Sequence, residues 1–358
     1  MDNYYILAIN PGSTSTKIGL FNNENPVFIK KIMHDAGILN SFRNITGQYE
    51  YRKKSILEEL DAMNFSLSDV DIIMARGGLL KSVRSGVYEV NGRMLEDLSS
   101  NTMGEHASNL GGLIAADLAG QTAAGQAYIA DPVVVDEMQD IAKIAGHPAF
   151  KRTPIFHALN QKAIARKYAM SVNNAYENIN LIIAHIGGGT SIGAHHRGKI
   201  IDVNNALYGD GPLSPERSGS LPAKQVVDIC FSGRYSKNEI EKMFVGEGGF
   251  MAYFGTNSYL EVKNRAENGD SQCKLIIDAM AYQIAKYIGS MAAVLKGDVD
   301  AILITGGIAN DPYICDYIAE MVKFIAPVIV YPGEDELSAL AYNGLMLLKG
   351  TIQAKRYE

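Results

Sequence analysis

Three short stretches of the chain carry residues suited to holding phosphate. Asn10-Pro11-Gly12-Ser13-Thr14-Ser15-Thr16-Lys17 offers glycine-turn backbone, the hydroxyls of Ser13, Thr14, Ser15 and Thr16, and the cation of Lys17. Gly187-Gly188-Gly189-Thr190-Ser191 offers the same without a lysine, and Gly306-Gly307-Ile308-Ala309-Asn310 follows a third apolar run. Backbone N–H groups in such turns approach an anion closely because no side chain intervenes. The third loop also precedes Asp311-Pro312, a good N-cap and first-turn pair for a helix whose N-terminus would receive negative charge. Neither GxxxxGK[ST] nor GxGxxG occurs, so each loop alone reads as readily as a structural turn. Three of them, each following an apolar strand, point to a nucleotide.

Cations and hydrogen-bond donors accompany these loops. Arg76 stands before Gly77-Gly78 and Arg217 before Ser218-Gly219. A guanidinium keeps its charge and forks onto carboxylate or phosphate oxygens, with a surface ion pair as the plain alternative. His185 ends an apolar strand directly before the triple glycine. Apolar surroundings disfavour the imidazolium, so a neutral donor aimed at a phosphoryl oxygen is expected, or else a satisfied core histidine. His157, ahead of a helix start, reads equally as structural, and His106 is a weaker candidate. His34, His147, His195 and His196 read as surface groups.

The elements that must position these residues alternate. Residues 4–9, 16–21, 127–130, 181–186, 192–195, 199–202 and 301–305 read as strands. Apolar spacing of three and four predicts helices over 105–118, 158–170, 273–295 and 336–348. The class is therefore α/β. The strand–glycine–strand unit at 4–21 recurs about 175 residues later, which suggests two lobes on one plan. A boundary is expected near 151–154, with residues 1–152 plus 333–358 in the first lobe and 153–332 in the second, the last helix crossing back.

Bulk properties narrow the partners. With 358 residues and 47% apolar content, two cores can be built. The net charge of −6 argues against nucleic acid and membrane surfaces. Cys230, Cys273 and Cys315 form no CxxC pair and read as small buried groups in a reducing compartment. The apolar segment 279–295 is broken by Gln283, Lys286 and Ser290, too polar to cross a bilayer. No signal-peptide pattern opens the chain, so a cytoplasmic location is expected.

Several strings in order carry a specific resemblance: Ile9-Asn10-Pro11-Gly12-Ser13-Thr14-Ser15-Thr16-Lys17, Arg76-Gly77-Gly78-Leu79-Leu80, Ile155-Phe156-His157-Ala158-Leu159-Asn160, Ala184-His185-Ile186-Gly187-Gly188-Gly189, Pro215-Glu216-Arg217-Ser218-Gly219, Gly306-Gly307-Ile308-Ala309-Asn310 and Glu334-Asp335-Glu336-Leu337. Over nearly the whole length the chain resembles acetate kinase-type enzymes, within the acetate and sugar kinase, Hsp70 and actin superfamily. Its strings are most similar to those of the butyrate and branched-chain fatty acid kinases. The resemblance implies a two-lobed fold of duplicated ribonuclease H-like domains around an ATP cleft. It further implies ATP/ADP and Mg²⁺ as cofactors, a short-chain fatty acid or its acyl phosphate as substrate, and a homodimer or larger homo-oligomer. Asn10, Arg76, Asp131, His157, His185 and Arg217 would form the catalytic set. Ser13, Thr14, Ser15, Lys17, Gly187, Gly188, Gly189, Gly306, Gly307, Ile308 and Asn310 would hold the nucleotide, and Asp131 and Glu336 the metal. Glu336 could instead simply favour its helix N-terminus.

A carboxylate acceptor is already ionised, so no general base is needed. The difficulty is two anions meeting: at an effective dielectric near 20, unit charges about 4 Å apart repel by roughly 4 kcal/mol. Cations and donors must therefore dominate the site. Asn10 stands where sugar kinases and actins resemble one another in having aspartate, and an amide there would keep negative charge from an anionic acceptor. Two departures accompany the resemblance. Arg76 matches the acetate kinase arginine by function rather than by clean alignment, and 254–259 lacks the arginine that acetate kinases place after their second-lobe glycine loop. An acetate or propionate kinase, or a sugar kinase of the same fold, is the alternative.

Overall fold

The computed structural model describes residues 3–122 and 124–358. Two compact units emerge, Met1–Asp136 with Asp335–Glu358, and Glu137–Glu334. The junctions differ from the expected 152/153 and 332/333. Residues 137–152 belong to the second unit because Glu137 pairs with Lys162 at 2.8 Å and Gln139 N–H donates to Ile201 O at 3.0 Å. Asp136 N–H, by contrast, donates to Val83 O in the first unit.

The first unit holds strands β1 (Tyr5–Pro11), β2 (Ser15–Asn22), β3 (Asn25–Met33), β4 (Ile72–Arg76), β5 (Val87–Glu89) and β6 (Ala127–Ala130). They form one sheet in the order β3-β2-β1-β4-β6-β5. The second unit holds β7 (Asn180–Ile186), β8 (Thr190–His196), β9 (Lys199–Val203), β10 (Ala301–Gly306) and β11 (Val328–Pro332), in the order β11-β10-β7-β8-β9. The shared plan is explicit. β1 pairs antiparallel with β2 and parallel with β4, as β7 pairs antiparallel with β8 and parallel with β10. The duplication expected from two glycine turns is a real repeat of topology.

Strand alternation sends side chains to both faces of the second sheet. Ile182, Ala184, Ile186, Ile302 and Ile304 join one core with the long helix Ser271–Val294. Leu181, Ile183 and Leu303 join another with the helix Ala158–Ser171. In the first unit the helix Glu336–Leu348 lies against β1 and β4 so closely that a Cβ on Gly344 would meet Met74 at 2.8 Å and Ile6 at 3.1 Å. The expected helices at 158–170, 273–295 and 336–348 form within two residues at each end. The one expected at 105–118 begins only at Asn109. Among the described residues no helix is long and apolar enough to cross a membrane. Cys273 and Cys315 are buried as expected, but Cys230 is exposed, because its helix Ala223–Cys230 buries no residue.

Candidate active site

In the first unit the β1–β2 turn is closed by Gly12 N–H donating to Ser15 O at 2.7 Å. Ser13 and Thr14 stand exposed at its tip, whereas Ser15 and Thr16 are buried. Lys17 sits opposite Asn10 in the β1–β2 register. The turn is braced by Arg52, which no motif singles out, and by His34, expected at the surface. Arg52, on the helix Tyr49–Ala62, donates to the carbonyls of Gly12, Ser13 and Ser15. His34 shares a 2.8 Å hydrogen bond with Thr16 Oγ1. His34 is thus buried, not a surface group, and burial, followed by the Arg52 charge, lowers its pKa to about 4.

At the ends of β1 and β4, three expected residues meet. Asn10 Nδ2 donates to Glu336 Oε2, and Arg76 Nη1 donates to the same oxygen at 3.2 Å and to Asn10 Oδ1 at 3.5 Å. Glu336, only 4% exposed, opens the helix that crosses back, so the last element of the chain completes a cluster begun by the first. This corrects the charge argument for Asn10: the amide does not keep a negative charge away, because a carboxylate lies against it. Arg76 is the group that offsets that charge.

The glycines after Arg76 serve packing. A Cβ on Gly77 would meet Pro132 at 2.5 Å, and one on Gly78 would meet Asn109 at 2.4 Å. The Arg76 carbonyl lies 2.4 Å from where a Cβ on Gly111 would stand, so neighbouring backbone holds the arginine's main chain. Asp131 is engaged differently. Its Oδ1 accepts from Ser85 Oγ at 2.6 Å and Gly86 N–H at 2.8 Å, and its backbone is left-handed with φ 39°. It organises the turn at 84–86.

The second unit gathers His157, His185, the triple glycine and Arg217. The His157 and His185 rings stack with centroids 3.8 Å apart. His157 Nδ1 shares a 2.9 Å hydrogen bond with Ser191 Oγ, which also accepts from Gln161 Nε2. His185 Nδ1 meets Asn160 Oδ1 at 2.8 Å, and its Nε2 is turned toward Glu334 Oε1 at 3.5 Å. Gly187 leaves space there: a Cβ would sit 3.4 Å from His185 Nε2. Arg217 Nη1 donates to Ala206 O at 2.8 Å and lies 1.4 Å from an imagined Cβ on Gly189, so only glycine admits the guanidinium. Ser214 Oγ and Glu216 N–H both donate to Gly188 O, tying the loop to the Arg217 segment.

The third loop adjoins this set. Thr305 pairs with His185 across β10 and β7, and Gly306, with φ 99°, presses against Ile186 O. Residues Gly307–Asn310 form a short 3-10 turn, and Asn310 Nδ2 donates to Gly307 O. Asp311 caps the following helix, Pro312–Val322, as expected, and is held by Tyr259 OH and Lys263 Nζ. An acid already stands at that helix N-terminus, so any phosphate contact belongs to the glycine turn before it.

His195 is another correction. It lies on β8 wholly buried, bonded to Gln161 Oε1 and Tyr176 OH, and burial pushes its pKa well down. His196, one residue on, faces out by strand alternation, and His147 is exposed as expected. His106 shares a 2.7 Å hydrogen bond with Ser108 just ahead of the helix Asn109–Ala119.

Comparison with known proteins bears on the family and the fold. A model of the Acetokinase family matches residues 150–326. Butyrate kinase 2 of Clostridium acetobutylicum is 52% identical over 355 residues, which cover 99% of this chain and 99% of that protein. Butyrate kinase 1 of the same organism is 49% identical, covering 99% and 100%. Among solved structures, an acetate kinase from Porphyromonas gingivalis superposes with a TM-score of 0.77 at 18% identity, over 96% of this chain and 100% of that one. A propionate kinase from Francisella tularensis gives 0.76 at 20%, over 95% and 98%, and these distant likenesses speak to the fold. The two-lobed fold, its paired sheets and half-sequence identity across the full length together show that the chain belongs to the acetokinase family.

Proposed function

We infer that this enzyme transfers the terminal phosphoryl group of ATP to the carboxylate of butyrate, giving butanoyl phosphate and ADP, and runs the reverse reaction. The observation that carries the reading is 52% identity to a butyrate kinase over 99% of both chains. A carboxylate oxygen of the acid forms the new bond to phosphorus as the bond to the bridging oxygen of ADP breaks. ADP keeps the electron pair, and no proton has to move. The chain's task is to offset charge and hold the reactants in line. Arg76 and Arg217 are the groups for carboxylate and phosphoryl oxygens. The turns at 12–16, 187–189 and 306–310 supply backbone N–H groups to the phosphates.

His185 supplies a donor from Nε2 when Asn160 presents its amide nitrogen to Nδ1. As placed, Asn160 Nδ2 and His185 Nε2 are both buried without a hydrogen-bond partner among the described residues. Reversing the amide, whose nitrogen and oxygen fill the same volume, gives both nitrogens a role. His157, stacked on His185, steadies the ring.

Magnesium fits the first-unit cluster through Glu336. Arg76 and Asn10 both engage Oε2, which leaves Oε1 as a hard oxygen donor, and Mg²⁺ usually takes only one or two carboxylates beside phosphate and water. When bound, it would neutralise charge on the ATP phosphates. The Asp131 carboxylate acts more indirectly, by fixing the turn at 84–86. A cytoplasmic location is part of the same reading, in keeping with the acidic net charge of −6, and a homo-oligomer enters it only through the family resemblance.

The test is a coupled assay with ATP, Mg²⁺, hydroxylamine and a panel of acids and sugars. Butyrohydroxamate should accumulate. Phosphorylation of a sugar and of no carboxylic acid would overturn the reading.

A further inference from the structure

Arg52 lies on one stripe of its helix with Ile56 and Leu60, and it is completely buried. All its hydrogen bonds run to neutral oxygens. Nη1 donates to Gly12 O at 2.8 Å, Thr16 Oγ1 at 3.2 Å and Ser15 O at 3.3 Å. Nη2 donates to Ser13 O at 3.0 Å, and Nε to Gln48 Oε1 at 3.0 Å. Among the described residues no carboxylate pairs with it. A buried guanidinium ordinarily acquires one, because an uncompensated charge is expensive to bury. Here carbonyl dipoles satisfy the N–H groups and leave the net charge in place. The nearby His34 adds none at neutral pH, its pKa being lowered to about 4.

Two consequences follow for the turn above it. In a planar trans peptide the C=O of one residue and the N–H of the next point opposite ways. The Gly12 and Ser13 carbonyls aimed at Arg52 therefore turn the N–H groups of Ser13 and Thr14 outward, and these are the two exposed residues of the turn. The unneutralised charge also stands directly behind those outward N–H groups.

We propose that Arg52 is a positioning residue for phosphoryl recognition: it fixes the outward N–H groups of Ser13 and Thr14 and supplies, from behind, positive charge that this turn presents to the phosphates of ATP. The proposal rests on the reading of the 12–16 turn as a phosphate loop. Arg52 itself touches no substrate.

The experiment compares Arg52→Met, Arg52→Lys and Thr14→Pro in the full-length enzyme, with circular dichroism to establish folding. Steady-state constants are taken for ATP at saturating butyrate and for butyrate at saturating ATP. Arg52→Met should lower kcat/KM for ATP about a hundredfold while KM for butyrate stays within about twofold. Arg52→Lys keeps the charge but not the fork, and should recover most of that loss yet stay about threefold to tenfold below wild type for ATP. A folded Arg52→Met with unchanged ATP constants overturns the proposal, as does one in which the ATP and butyrate constants worsen alike. If Arg52→Met does not fold, Arg52→Lys decides by the same split: a raised KM for ATP alone supports the role, and an unchanged one removes it. Thr14→Pro deletes one outward N–H while keeping the Ser13 carbonyl oxygen that accepts from Arg52. If Thr14→Pro weakens ATP and Arg52→Met does not, only the Arg52 proposal falls. If neither weakens ATP, the phosphate-loop reading falls with it.

Discussion

The guanidinium of Arg76 and the carboxylate of Glu336 meet at 3.2 Å although 260 residues separate them, and Asn10 donates to the same oxygen. A strand end, a second strand end and the first turn of a returning helix are thereby locked into one cluster. Removing the carboxylate leaves Arg76, whose side chain is 18% exposed, without its ion partner. Glu336→Ala should cost roughly 1–3 kcal/mol in urea unfolding. Glu336→Gln should cost less yet still lower turnover about a hundredfold and raise the Mg²⁺ concentration for half-maximal rate. A Glu336→Gln enzyme with wild-type Mg²⁺ dependence would remove Glu336 from the metal site.

Asn10→Asp tests the same cluster from the other side. The new carboxylate would face Glu336 Oε2, where an amide now donates. Two carboxylates in contact cannot both ionise easily, so one would hold its proton at neutral pH or push the other aside. Turnover with butyrate should fall at least tenfold and recover partly as pH is lowered toward 5. Wild-type constants at pH 7 would show that the contact has no part in catalysis.

Arg217 is held by the Ala206 carbonyl and fitted against Gly189, so its guanidinium has one well-defined position beside the triple glycine. A cation that offsets transition-state charge contributes about 3 kcal/mol or more. Arg217→Ala should therefore lower kcat at least about a hundredfold with circular dichroism unchanged. Gly189→Ala should act similarly, since its methyl would occupy the guanidinium's place. Full activity in both would reduce Arg217 to a structural residue.

Periodicity and turn chemistry made the scaffold legible. Two glycine turns about half a chain apart announced the repeated hairpins, and the apolar spacing in 336–348 marked its helix to the residue. Polar residues on buried faces were not legible in the same way. His34 and His195 read as surface groups because imidazole is polar, yet each is buried and bonded to a partner distant in sequence or on another element. Arg52 carried a signal that the reading passed over: it sits four residues before Ile56 and eight before Leu60, on the buried stripe. The contact of Asn10 with Glu336 spans 326 residues, and no local pattern encodes such a partner. The domain junction at Asp136 moved for the same reason, since it is set by the Glu137–Lys162 pair rather than by any local break.

Two buried histidines give the fold an acid sensitivity. His34 is lowered from an ordinary value of 6.5 to about 4 by burial and then by Arg52, and burial also pushes His195 well down. The unfolded chain therefore binds more protons than the native one between about pH 6.5 and 4, so stability rises with pH across that window. It is complete above about 6.5 and is lost on acidification, with His34 alone worth on the order of 3 kcal/mol. Urea midpoints of wild type and His34→Asn from pH 7.5 to 4.5 measure this. The variant should show a shallower decline, and parallel curves would mean that His34 titrates normally.

Acyl chain length tests the substrate assignment. Each methylene removed from water contributes about 0.8 kcal/mol until the pocket is full. Where that gain is expressed in the transition state, kcat/KM rises roughly fourfold per carbon. The series from acetate through propionate should therefore climb to a C4 or C5 acid and then fall as the chain meets the pocket floor. Isobutyrate and isovalerate should be accepted within about tenfold of the straight acids, because one extra methyl rarely discriminates more strongly. The measurement is kcat/KM from C2 to C7 at fixed ATP and Mg²⁺. A maximum at acetate would keep the fold, the family and the two arginine sites but move the substrate to the shorter acid. A flat series would mean that the acyl chain stays in water, with recognition confined to the carboxylate.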